Sequence, residues 1–280
     1  MIYIEQYQSL SSISEILFNK EEHIILSEEG LSVKSRKTGR KYFIEGEVSD
    51  YIVSLSHTYL WCALYNKDNS FTLVVIDKNG KVIDSLKLEE PFHLSAALLT
   101  LMPEENNIAI SLLDGTGGSQ GYCINLDHNQ LRIYRELPEN KDYMFTWGNR
   151  CLLADFDANE LTLVSYPDFE LITQKQYDHF EGDGMANVWQ IDEHLGIYST
   201  NQGIWYAFNL DTLEVIGECA IKGYEPITEE DEYYSHINTL IPMADKLLFE
   251  HWTYKNKEQK KQWLSVERTY LSSLIRTAHS

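Results

Sequence analysis

The segment NLDTLEVIGE, Asn209 to Glu218, reads as two short strands hinged on Asp211 and Thr212. Short polar side chains such as these hydrogen-bond nearby backbone and favour turns, whereas the apolar and β-branched residues on either side favour extended chain. Working outward gives GMANVWQI, LGIYST, IWYAFNL and LEVIGECAI, separated by DEH, NQG and DT. These are four strand-like runs cut by turn formers. The same order returns in YMFTW, CLLADF, LTLVSY and ELITQKQ, and again in LLTLMP, IAISLL, GYCINL and LRIYREL.

The first apolar residue after the polar turn marks each copy: Tyr42, Val82, Leu131, Leu171, Val215 and Trp263, at successive steps of 40, 49, 40, 44 and 48. A period of about 40 to 50 residues is the signature of an array with one supersecondary unit per period. A four-stranded antiparallel sheet cannot bury both faces alone, and packing copies radially solves that problem. The sequence therefore predicts an all-β chain, a six-bladed β-propeller of four-stranded antiparallel blades, forming one domain over residues 1–280. Seven blades is the alternative, because the two longest steps leave room for a miscount. The opening MIYIEQYQ alternates polar and apolar residues outside the first unit and is expected to give a strand to the last blade. Helical periodicity is nearly absent; LSSISEILF, Leu10 to Phe18, also fits the first strand of a unit.

These units resemble those of WD-repeat propellers, in architecture and over essentially the whole chain. No Gly-His and no Trp-Asp dipeptide occurs, and paired glycines occur once, at Gly117 and Gly118, which separates the chain from the kelch pattern. The resemblance implies a propeller and carries over no functional residue, since that architecture hosts enzymes, scaffolds and binders alike.

Hydrophobic residues make up 43% and aromatic residues 12%, enough for a packed core. The formal charge is −20, from 43 acidic and 23 basic side chains. Such a field repels nucleic acid and anionic lipid and attracts basic proteins, so the expected partner is a basic protein, with no nucleic acid and no membrane. The first stretch carries Glu5, Glu15, Glu21 and Glu22 where an export signal needs a basic start and an apolar run, so a cytoplasmic location is expected. Cys62, Cys123, Cys151 and Cys219 are widely spaced and sit in strand-like runs, which reads as four reduced thiols.

The acidity is concentrated. The five connections expected between blades, residues 45–50, 88–95, 136–143, 176–184 and 222–236, hold sixteen Asp or Glu against two lysines, Lys141 and Lys222. Phe92, Tyr143, Tyr177, Phe180, Tyr224, Tyr233 and Tyr234 lie in the same connections, and aromatic residues are enriched at interface cores. The longest, Lys222 to His236, exceeds what a link requires. The candidate partner-binding residues are Asp178, Glu181, Asp183, Tyr224, Glu229, Glu230, Asp231, Glu232, Tyr233 and Tyr234. His93, His179 and His236 are the candidate metal ligands. DFDANE, Asp155 to Glu160, lacks the Gly and the bidentate Glu of a calcium loop, and DGTGGSQG, Asp114 to Gly121, precedes a strand instead of a phosphate-binding helix. No catalytic constellation and no cofactor motif is present.

The sequence thus points to a non-enzymatic protein-binding module whose acidic, Tyr-rich loop face docks a basic partner; an inhibitor or immunity-type protein is one form of it. The alternative is a metal-dependent, hydrolase or lactonase-like enzyme with its site at the mouth of the central channel.

Overall fold

The computed structural model describes residues 1–10, 22–27, 30–35, 41–54, 56, 58–178, 184–224, 227–230, 233–242, 245–255 and 258–279, with backbone alone at 10, 22–27, 34–35, 42, 227–230, 233–242, 255 and 279. The fold is an all-β propeller of four-stranded antiparallel blades, and the described strands form six sheets. The chain divides into two compact units, Ser14–Asp155, and Met1–Ile13 with Phe156–Ser280.

The unit Ser14–Asp155 begins with β3 (Glu22–Ser27), β4 (Gly30–Ser35) and β5 (Lys41–Glu45) as one sheet. Two four-stranded sheets follow in simple up-and-down order. The first holds β6 (Glu47–Val53), β7 (Tyr59–Asn66), β8 (Ser70–Asp77) and β9 (Val82–Leu88); the second holds β10 (Ala96–Leu101), β11 (Asn107–Leu113), β12 (Ser119–Asp127) and β13 (Gln130–Glu136). The hairpin of β14 (Asp142–Trp147) and β15 (Arg150–Asp155) completes the unit. The middle strands are buried almost continuously, β8 and β11 above all, while the outer strand β13 is mostly exposed. That contrast follows from packing: a middle strand meets neighbouring sheets on both faces and must be apolar on both. Trp61, Phe71, Leu73, Ile108, Ile110 and Ile124 form the main core. Side chains of β6 also stitch it to β10. Ser49 Oγ accepts from Ala97 N at 2.8 Å and Asp50 Oδ2 from Leu99 N at 2.8 Å.

The other unit holds the hairpin of β16 (Glu160–Ser165) and β17 (Leu171–Gln176), then a sheet of β18 (Met185–Gln190), β19 (Leu195–Thr200), β20 (Trp205–Asn209) and β21 (Val215–Ile221). The opening phrase is the β20–β21 hairpin, with Asn209 Oδ1 accepting from the backbone of Asp211 and Thr212. Beside β21 lies β1 (Ile2–Ile4), parallel to it. The last sheet holds β22 (Ile227–Glu230), β23 (Tyr233–Pro242), β24 (Lys246–Lys255) and β25 (Glu258–Glu267), with β2 (Gln8–Leu10) antiparallel to β25.

Register explains this last arrangement. Strands β6, β14 and β18 each carry one extra residue against their partner, at Ser49, Met144 and Ala186. Strand β23 has the same irregularity at Asn238, which makes it their counterpart. Strand β25 is then third in its blade, and β2 takes the outermost place. Tyr42, Val82, Leu131, Leu171 and Val215 accordingly fall in β5, β9, β13, β17 and β21, each the last strand of its sheet in chain order, and Trp263 falls in a third strand.

Two expectations are corrected. Residues 222–236 are not one long loop, because β22 and the start of β23 occupy much of them, with Ile227 opposite Ser235 and Glu230 opposite Tyr233. Likewise 45–50 is strand apart from Gly46. The second correction is a twelve-residue C-terminal helix, α1 (Arg268–His279). Tyr270, Leu271, Leu274 and Ile275 make one apolar stripe on it. Leu271 and Ile275 are fully buried with Ile2, Ile4, Leu195, Phe249 and Val266.

Asp192, in the β18–β19 turn, anchors the helix. Its Oδ1 accepts from His194 N at 2.7 Å and Leu195 N at 2.9 Å. Its Oδ2 accepts from the Arg276 guanidinium at 2.8 Å and from the Ser272 hydroxyl. Arg268 adds bonds to the carbonyls of Gln190 and Ile191, both at 3.0 Å.

Candidate functional site

In the unit Ser14–Asp155 three neighbouring segments enclose a groove of about 590 Å³. The β9–β10 connection supplies Glu90 and Phe92, the β11–β12 turn supplies Asp114, and the end of β13 with its following connection supplies Glu136, Leu137 and Glu139. Four carboxylates thus surround an apolar patch, with no lysine, arginine or histidine among the lining residues.

Each wall is held by side chains suited to turns. Asn69 has a positive φ of 62° and reaches across to the first wall, donating to the Phe92 carbonyl at 3.1 Å and accepting from Leu94 N at 2.9 Å. Leu94 is buried and pins the connection to the core. In the second wall Asp114 folds the turn around its own carboxylate, accepting from Thr116 N at 2.7 Å and Gly118 N at 3.0 Å. Gly115 and Gly117, at φ 78° and 116°, allow that tight path. The Thr116 amide is the first of the donors that hold the Asp114 carboxyl below the usual carboxylate range. In the third wall Asn140 exchanges bonds with Ser119, its Oδ1 accepting from Ser119 N at 3.0 Å and its own N–H donating to the Ser119 carbonyl at 2.9 Å. The Tyr122 hydroxyl donates to Glu90. Burial, reinforced by that carboxylate, raises the Tyr122 pKa and keeps the phenol protonated.

The structure divides the other sequence candidates. Asp178 is exposed. The preceding Tyr177 is buried, its hydroxyl donating to the Leu213 carbonyl at 2.7 Å, and Tyr143 is buried too; both fill gaps in the core instead of facing solvent. Tyr224 is half-buried, edge-on to Tyr7 and His251. Glu229 and Glu230 lie on β22, and Tyr233, Tyr234 and His236 on β23, with backbone positions only. Glu181, Asp183, Asp231, Glu232, Phe180 and His179 lie outside the described residues. His93 is exposed. Asp50 and Asp142, counted with the acidic connections, are strand residues turned inward: the first bonds Leu99 and the second is buried. Among the described residues no three His, Cys, Asp or Glu stand together as a metal site. All four cysteines are free and buried, and burial pushes the Cys123 thiol up to about 11 and the Cys62 thiol to about 12, far from a reactive thiolate. No described helix is long and apolar enough to cross a membrane.

Sequence reasoning missed the groove as a unit. It found the 88–95 and 136–143 connections as acidic, but singled out the longer 222–236 segment and read Asp114 only as the start of a stretch that precedes a strand.

No protein-family model matches the chain, and no curated protein matches it. Solved structures do. The WD40 repeats of RRP9 superpose with a TM-score of 0.57 at 11% identity, covering 86% of this chain and 76% of that one. The AfRom2 CNH domain gives 0.56 at 10% identity, covering 94% and 80%. A putative 6-phosphogluconolactonase from Bacteroides fragilis gives 0.52 at 12% identity, covering 83% and 76%. At these identities the likeness is one of fold, and all three support the propeller.

Proposed function

We propose that this chain is a protein-binding propeller whose acidic connections dock a basic partner protein. The observation that carries the reading is the groove of the unit Ser14–Asp155, where Glu90, Asp114, Glu136 and Glu139 stand around Phe92 and Leu137 with no cation lining it. Like charges gathered at one place cost folding stability, and a basic partner removes that cost on binding. Opposite charge also speeds encounter and fixes register, while the apolar floor offers a place for an anchoring side chain. A lysine- or arginine-rich segment with one apolar residue between its charges has the matching chemistry. Asp178, Glu181, Asp183, Tyr224 and residues 229–234 belong to the same reading as a second acidic region. An inhibitor or immunity-type role, covering the basic surface of another protein, is the most specific form of this proposal.

The test is affinity capture at low and moderate salt with three proteins: wild type, a Glu90, Glu136 and Glu139→Lys variant, and a Glu229, Glu230, Asp231 and Glu232→Lys variant. A basic protein held by wild type, weakened by salt and lost from one variant supports the reading and says which region binds. Equal retention by all three overturns it.

A further inference from the structure

Beneath the groove lies a buried polar cluster that partner docking does not use. Asp142, at the start of β14, is 6% exposed, and its Oδ1 atom is buried without a hydrogen-bond partner. The Ser111 hydroxyl on β11 and the Ser119 hydroxyl on β12, both buried, hydrogen-bond the carboxyl. Next to it on β15 is Asp155, 9% exposed, with Lys141 Nζ 3.9 Å from its Oδ2. Strands β10 and β11, packed on β14, carry no titratable side chain. Strand β12 carries Tyr122, Cys123 and Asp127, and β15 carries Arg150, Cys151 and Asp155. On its own segment Asp142 is flanked by Lys141 and Tyr143, and Asp114 lies in the adjoining β11–β12 turn.

A buried carboxylate needs several donors or a cation to remain ionised. Asp142 has two hydroxyl donors, one bare oxygen and a second carboxylate as its neighbour, while the nearby lysine sits against that second carboxylate. The neutral acid suits this site better than the anion. We propose that Asp142 is a proton-sensitive lock between β14 and the β11–β12 hairpin, closed when its carboxyl is protonated and loosened when it ionises. Burial, with Asp155 adding repulsion, shifts its titration upward in spite of the serines. The lock stands whatever the groove binds, but it underlies one groove wall, because Ser119 both lines the groove and bonds Asp142.

The sign follows from linkage. A carboxyl whose pKa is higher in the folded than in the unfolded chain binds its proton more tightly when folded. Stability is then greatest below the unfolded value, about 3.9, and falls as pH rises through the folded value. The experiment has two parts. The first is a carbon-13 NMR titration of the aspartate carboxyls of the whole protein, with Asp142 assigned by its loss in Asp142→Asn. The second is denaturant unfolding from about pH 5 to about pH 7.5, a window set above the free carboxyl value, for wild type, Asp142→Asn and the surface control Asp178→Asn. Expected are a titration above the ordinary carboxylate range and a folding constant that falls with pH by at most about tenfold per unit. That slope should be missing in Asp142→Asn and kept in Asp178→Asn. Titration of Asp142 in the ordinary range overturns the lock, and this arm stands even if the asparagine variant does not fold, the assignment then coming from selective labelling and sequential connectivities. Equal slopes in all three proteins overturn it as well.

Discussion

Asp142 is buried and Asp192 half-buried, each at the junction of two elements, and the protein treats them in opposite ways. Asp192 receives two backbone amides, a serine hydroxyl and a guanidinium; burial pushes its pKa up, but those donors outweigh burial and hold it low. Asp142 receives two hydroxyls and faces Asp155, and burial keeps its pKa high. Burial alone therefore does not decide the charge of a carboxyl. The number and charge of its donors do, so one aspartate acts as a fixed anchor and the other as a titratable joint.

The largest effect that could break this comparison is at the anchor. The Asp192 network is useful only if the helix it holds has an apolar face to dock, so Leu271→Ala should cost about 3 kcal/mol in denaturant unfolding. Asp192→Ala should cost about 2 kcal/mol, since it strips four donors of their acceptor, and amides of α1 should then exchange hydrogen faster. If the helix stays equally protected, the packing of Leu271 and Ile275 suffices and the anchor is dispensable. The pH dependence comes next in size. A lowered folded pKa gives stability that is present above about pH 4 and lost as pH falls through the folded value. Acid unfolding of Asp192→Asn should lack that component while the wild type keeps it. The smallest effect belongs to the joint. Ser119→Ala removes one of Asp142's two hydroxyl donors and should move its NMR titration further upward; a shift downward would mean that the hydroxyl favours the neutral acid.

Much of the propeller was legible in the sequence because its signal is repeated. The marker residues fall in strands of all six sheets, since every blade needs the same turn followed by the same apolar position. What occurs once was harder to read. Tyr270, Leu271, Leu274 and Ile275 carry a helical stripe, yet one short stripe after six recognised units is a single signal beside a repeated one. Tyr143 and Tyr177 sit in acidic connections by sequence and in the core by structure, because the residue at the edge of a strand takes its surroundings from the neighbouring sheet. Asp142 shows the same limit more sharply. Its neighbours Ser111, Ser119 and Asp155 come from three strands, and no local pattern announces their meeting. The groove was half legible: its acidic connections stand out in composition, but the inward turn of Asp114 depends on Gly115 and Gly117 holding the chain around it.

The pairing of β2 with β25 has a consequence for how the molecule is made. Gln8 to Leu10 leave the ribosome about 250 residues before their partners Trp263 to Ser265. At roughly 5 to 20 residues per second, that strand waits on the order of 10 to 50 s for the edge it will occupy. During that interval it is an unpaired segment beside a growing row of sheets, several of which present outer strands with open edges. Polar residues at Gln6, Gln8 and Ser9 weaken its attraction to those wrong partners. The sheet of β22 to β25 is thus completed by a strand made about 250 residues ahead of its partner.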